Sequence, residues 1–220
     1  MHGRSISSLW VLGALFCAGG AARADTVTYD FNLEFSGGQA PAGPAPWITA
    51  TFTQINSHDV RLVISTAGLT GNEDIKASYF NIVPALPSAL SNLTFTYDSG
   101  VAATTVSATE DGFMADGDGL YDIKFAYGAG NSGFKAGMTS TFDITDLSSG
   151  PALSAASFFS LSTPAGGHGP FYAAAQVQNT TGAGTGGSGW VAPVPLPAAA
   201  WLLVAGLGGL GAFARKRREA

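Results

Sequence analysis

The chain has 220 residues, room for one ordinary domain together with targeting segments. Its formal charge of −5 hides a sharper partition, because residues 25–190 contain four basic side chains (Arg61, Lys76, Lys124 and Lys135) against fourteen acids. A domain with a net charge of about −10 repels nucleic acid and anionic lipid and attracts divalent cations, so DNA and RNA binding are excluded.

The first element is a leader. Arg4 supplies a positive start, Leu9 to Cys17 form a short apolar run, and Ala22-Arg23-Ala24 places small residues where a signal peptidase cuts. Residues 1–24 are therefore expected to be a signal peptide, cleaved between Ala24 and Asp25. The apolar run is too short to span a bilayer. Cys17 is the only cysteine and would leave with the leader, so the exported domain has neither a disulfide nor a thiol ligand. Its core must hold by burial, which about 165 residues can achieve.

From Asp25 the pattern has period two, the mark of half-buried strands. In "TVTYDFNLEF", Val27, Tyr29, Phe31, Leu33 and Phe35 are expected on one face. A Gly/Pro-rich loop follows. Further strands are expected at "WITATFTQI", "DVRLVIST", "ASYFNIV", "NLTFTYDS", "AATTVSAT", "LYDIKFAY", "STFDIT", "SFFSLST" and "FYAAAQVQNT", separated by turn-forming clusters. Helical periodicity is confined to a short capped turn near "DITDLSSGPALSAAS". Nine or ten short strands predict an all-β domain over residues 25–190, a β-sandwich of jelly-roll-like type. "TTGAGTGGSGW" reads as a spacer or final irregular loop, with the domain ending near Trp190 and a linker at residues 191–197.

The most suggestive polar stretch is "EDGFMADGDGLYDIKF". Asp116, Asp118 and Asp122 alternate with glycines, and oxygens so spaced suit Ca²⁺, with Glu110 or Asp111 as further ligands. The competing reading is an Asp-Gly turn entering a strand, and the match to an EF-hand loop fails at Leu120 and Tyr127. His58 and His168 have no G-x-S-x-G nucleophile beside them and too few partners for a zinc site. No motif here supports an enzyme. Trp47 and Trp190 are candidates for stacking on sugar rings, with burial the competing use.

The chain closes with "VPLPAAAWLLVAGLGGLGAFARKRREA". Ala198 to Ala214 are free of charge and apolar all round, which suits a minimal transmembrane helix better than a soluble one. Arg215, Lys216, Arg217 and Arg218 then form a basic stop-transfer cluster on the cytoplasmic side. Pro195 and Pro197 keep the preceding backbone extended and open to a protease.

This tail resembles the PEP-CTERM type of protein-sorting signal in its VPLPA variant, with Val194, Pro195, Leu196, Pro197 and Ala198 as the motif. The resemblance implies a Gram-negative bacterium, an inner-membrane intermediate and processing by an exosortase. It also implies transfer to the cell surface or extracellular matrix, often alongside exopolysaccharide production. A GPI signal would end apolar, and a Gram-positive sortase substrate would need Leu-Pro-x-Thr-Gly where "LPAAA" stands. The expected function is a structural or matrix component of the envelope or exopolysaccharide. The alternatives are a Ca²⁺-dependent or sugar-binding module on a plain membrane anchor and, last, a secreted hydrolase.

Overall fold

The computed structural model describes residues 25–84, 86, 90–116, 118–130, 133–148, 150–180 and 187–194. Those residues form an all-β domain of eleven strands. They are β1 (Thr26–Glu34), β2 (Ile48–Gln54), β3 (Asp59–Ser65), β4 (Asp74–Phe80), β5 (Leu93–Gly100), β6 (Thr105–Ala115), β7 (Asp118–Ala126), β8 (Phe134–Lys135), β9 (Thr139–Asp146), β10 (Ala173–Thr180) and β11 (Gly187–Pro193). Ten of them follow one hydrogen-bonded path, β5-β9-β3-β2-β1-β11-β10-β4-β7-β6, and β8 pairs separately with β4. Every strand pairing is antiparallel.

The sheet is rolled until its ends nearly meet. Phe95 of β5 lies edge-on to Phe125 of β7 at 5.6 Å, and Phe125 also touches Phe142 of β9 at 5.1 Å. The link from β5 to β6 stitches this seam: Val101 N–H donates to the Thr139 carbonyl on one side, and Thr104 N–H to the Ala126 carbonyl on the other. Beneath it, the Tyr127 hydroxyl meets the Ser140 hydroxyl at 3.1 Å. A nearly closed roll hides its edges, which otherwise offer unpaired backbone groups to other chains.

Inside the roll the main core gathers one face of most strands, including Phe31, Phe52, Leu62, Ile64, Ile75, Phe80, Ile123 and Ile144. The short helical element expected from sequence is a 3-10 helix, Ala155–Phe158, with Ser154 and Ser157 forming a reciprocal capping box. It takes the place of the strand expected at "SFFSLST". Leu153, Ala155 and Phe158 enter the core, and Phe158 stacks on Phe52 at 4.3 Å. The Tyr29 hydroxyl donates to the Phe158 carbonyl at 2.6 Å, satisfying a buried carbonyl.

A second apolar cluster lies on the other side of the sheet, built from Phe35, Ala77, Tyr79, Ala115, Tyr121, Phe171, Ala174 and Ala192. The expectation that Leu33 and Phe35 share a face with Tyr29 and Phe31 is therefore corrected. A bulge at Asn32 shifts the β1–β11 register from Phe31↔Pro193 to Leu33↔Ala192, and one extra residue reverses the faces. Tyr29 and Phe31 point into the main core, whereas Leu33 and Phe35 serve the second. β10 opens with three successive buried alanines because both of its faces are covered.

β11 itself is a second correction. Residues 191–193, expected in a linker, complete this strand, with Val191 and Ala192 fully buried. Glycines weaken the strand signal of "GSGW", but the Cβ of a residue at position 189 would lie 2.4 Å from the Gln39 carbonyl oxygen. Phe52 touches Tyr29, Phe80 and Phe158 at the centre of the main core. Replacing Phe52 with Ala should cost about 3–5 kcal/mol, measured by chemical denaturation, with the cavity unable to collapse among fixed rings.

Candidate functional site

The acid-rich stretch forms the β6–β7 hairpin, so the sequence-derived metal residues can be placed individually. Asp116 occupies the exposed turn with a left-handed φ of 49°, and the Asp118 backbone pairs with Ala115 across the hairpin. The Asp118 side chain lies outside the described residues. Asp122 lies further along β7 and is buried, with 7% of its surface exposed. Both of its oxygens are engaged: Oδ1 accepts from Asp111 N–H at 2.8 Å, and Oδ2 from Ile82 N–H at 3.0 Å.

Asp122 thereby pins two irregular pieces of backbone. One is the β6 bulge, where pairing jumps from Ala108 to Phe113 and Asp111 has a left-handed φ of 49°. The other is the chain leaving β4. Glu110, Asp111 and Asp122 do converge, with Asn81 and Pro84, on one depression of about 60 Å³. Burial raises the Asp122 carboxyl above its ordinary pKa, and the neighbouring Asp111 adds to this, against the lowering effect of the two amides. Among the described residues no cluster of three His, Cys, Asp or Glu has the geometry to hold a metal ion.

The far end of the same hairpin is strapped by the segment following the 3-10 helix. Gly119 N–H donates to the Ala165 carbonyl, and Leu120 and Thr163 exchange backbone hydrogen bonds. Gly119 has a φ of 74°, and a Cβ there would lie 2.4 Å from Ser162 Oγ. Close approach to this strap accounts for the glycine at position 119.

The other sequence candidates are placed as follows. Trp47 is 9% exposed and donates from Nε1 to the Gly43 carbonyl at 2.7 Å. Trp190 is partly buried and packs on Tyr79 at the margin of the second cluster. The His58 carbonyl accepts from Asp146 N–H, and the His168 ring lies against Phe35.

Of the sorting motif, Val194 is described: it is 46% exposed, and its N–H donates to Asn32 Oδ1 at 3.1 Å. Residues 195–198, the apolar run 198–214, Arg215 to Arg218 and the leader through Ala24 lie outside the described residues. Among the described residues no helix is long and apolar enough to cross a membrane. Because β1 and β11 are antiparallel, Thr26 at the start of β1 and Val194 after β11 leave the domain at the same end. Compared with protein-family models, curated proteins and solved structures, the chain gives no match.

One structural residue escaped sequence reasoning. Glu73 is fully buried, its Oε1 accepting from Ala42 N–H and its Oε2 from Thr70 N–H, both at 2.7 Å. It clamps the Gly/Pro-rich loop after β1 onto the turn before β4, and nothing in its sequence neighbourhood signals this long-range bond.

Removing the Asp122 carboxylate strands two backbone amides. Asp122→Ala should therefore destabilise the domain by about 2–6 kcal/mol in denaturant melts, at about 1–3 kcal/mol for each unsatisfied group. Its raised pKa fixes the sign of a pH effect. The folded chain holds this proton more tightly than the unfolded one, so the associated stability is present in acid and lost as pH rises through the raised value. Melting temperatures of wild type and Asp122→Asn, compared across pH, should shift in favour of wild type as pH falls from neutrality into the carboxylate range.

Proposed function

We propose that this chain is an exported bacterial surface protein, sorted through its C-terminal tail by an exosortase. In that role it serves as a non-enzymatic component of the envelope or exopolysaccharide. The observation that carries this reading is the ordered series of leader, β domain, Val194-Pro195-Leu196-Pro197-Ala198, uncharged run and Arg215-to-Arg218 cluster. The placement of the motif supports it further. β11 ends at Pro193, so the motif begins with the first residue beyond the sheet. A protease acting at Pro195 to Ala198 would therefore not need to break any described strand pairing.

On this reading, signal peptidase frees Asp25 and the apolar run holds an inner-membrane intermediate. The exosortase then cuts near the proline motif and passes the domain to a surface acceptor. Catalysis belongs to the partner enzymes; this chain supplies the substrate segment. We also read the two halves of the rolled sheet as the layers of a flattened, jelly-roll-like sandwich. The Phe52–Phe80 contact, which joins β2 of one half to β4 of the other away from the seam, supports that description.

Mass spectrometry of the protein extracted from the surface of its own host tests the sorting step. The expected mature form starts at Asp25 and ends within or close to Val194 to Ala198. Recovery of surface protein that retains Arg215 to Arg218 would overturn the proposal in favour of a plain anchor. Replacing both Pro195 and Pro197 with Ala should leave the uncleaved chain in the inner-membrane fraction.

A further inference from the structure

At the end of the domain from which Val194 departs lies a groove of about 300 Å³, at the lower end of the size range of small-molecule sites. One wall is aromatic. Phe159 stacks on Tyr172 with ring centroids 4.4 Å apart and planes 18° from parallel, and Tyr172 stacks on Tyr29 at 5.9 Å and 14°. The opposite side carries Thr28, Asp30 and Asn32 from the outward face of β1, and Pro193 and Val194 close the groove. None of the lining residues is basic.

The aromatic wall is rigid and partly uncovered. Its root is in the main core, where Tyr29 is held by its hydroxyl bond to Phe158 and by edge contact with Phe52. Its tip is in water: Phe159 is 53% exposed. What sets Phe159 apart from the other exposed apolar side chains is its place on the wall of a groove, stacked on a second ring. A flat ring already fixed by stacking also loses little side-chain freedom when a ligand covers it.

We propose that this groove binds a neutral saccharide. A pyranose ring has an apolar face of C–H bonds and a rim of hydroxyls. The face fits the exposed side of Phe159, and the hydroxyls find acceptors and donors in Asp30, Asn32 and Thr28. Charge selects the class. Asp30 on the rim, the lack of a basic lining residue and a domain carrying about −10 all disfavour uronates, sulfated glycans and phosphate esters. This assigns the sugar-stacking contact to Phe159, with Tyr172 as the ring that holds it in place. The inference stands whether or not the tail is sorted.

The test uses the full-length chain in a detergent without a sugar headgroup. Calorimetric titrations would employ gluco-, manno- and chito-hexaoses, with an alginate hexamer as the anionic arm. Binding of at least one neutral hexamer is expected, weakened about tenfold or more by Phe159→Ala, the scale of truncating an aromatic at a binding hot spot. Phe159→Trp should retain binding, and Asp30→Ala should weaken it. Asp30 is exposed, so Asp30→Ala should melt near wild type, and Phe159→Trp keeps an aromatic ring on Tyr172; melting temperatures taken for every variant separate lost binding from lost folding. The proposal is overturned by the absence of binding to every neutral hexamer, by binding indifferent to Phe159→Ala, or by preference for the alginate hexamer. A dimer in light scattering that Phe159→Ala dissolves would overturn it too, by assigning the groove to self-association.

Discussion

The pairing of β1 with β11 is the constraint on which the rest of the domain depends. These are the first and last strands of the described chain, yet they lie side by side in the middle of the sheet. Everything on the β2 side, through β3 and β9 to β5, reaches the β10, β4, β7 and β6 side along the ladder only through this pair. The bulge at Asn32 gives the pair its second property. One extra residue transfers β1 from the main core to the second cluster and leaves the Asn32 carboxamide bonded to the backbone of Val194. Register, the division between two cores and the exit of the chain are thus fixed at a single residue. The contacts that close this pairing are among the most distant in sequence, and their loop entropy must be met by burial elsewhere.

That burial is assisted by carboxylates used in place of covalent staples. With no cysteine after Cys17, loops are fastened by acids that accept backbone N–H bonds. Glu73 holds the loop after β1, Asp122 the β6 bulge and the end of β4, Asp146 the turn after β9, and Glu34 the first residues beyond its own strand. A carboxylate has several acceptor sites and no donor, so it can satisfy two or three stranded amides at an irregular turn. The cation side is sparing. Arg61 bridges Asp143 and Asp98 across β3, β9 and β5, and Lys124 lies over the Tyr79 ring. Much of the negative charge that looked like a cation-attracting surface is therefore structural in origin, although it still sets the field around the domain.

The all-β class and most strand positions were legible because period-two alternation reports directly on one-sided burial. β2 and β3 are the clearest cases, each alternating between covered and open positions. Legibility failed where that premise failed. β11 reads as a glycine-rich spacer because its neighbours press too closely for side chains, and β1 alternates without error through a bulge that alternation cannot register. "SFFSLST" has strand composition, but its second residue, Phe158, is drawn into the core by a capped 3-10 turn. The Asp-Gly hairpin illustrates the same limit for sites. Spacing alone fits both a cation loop and a strapped turn, and the partners that distinguish them, Ile82 and Ser162, lie about forty residues away in the chain. The aromatic wall of the groove was equally hidden, since Tyr29, Phe159 and Tyr172 meet only in the fold.

The distribution of charge ties the two ends of the chain to its middle. Six of the ten basic residues lie in the leader and the tail, segments that the sorting proposal removes. Their removal takes the chain from a formal −5 to about −10, so processing doubles the negative charge of what remains. On that proposal the basic end would oppose passage across the membrane before processing, and afterwards the acidic domain would be repelled by anionic lipid and by other copies of itself. Since Thr26 and Val194 emerge at the same end, both processed termini would flank the groove bounded by Asp30, Asn32 and Phe159. The domain would then be tethered next to this aromatic-walled groove, and an uncharged partner is the kind its field does not oppose.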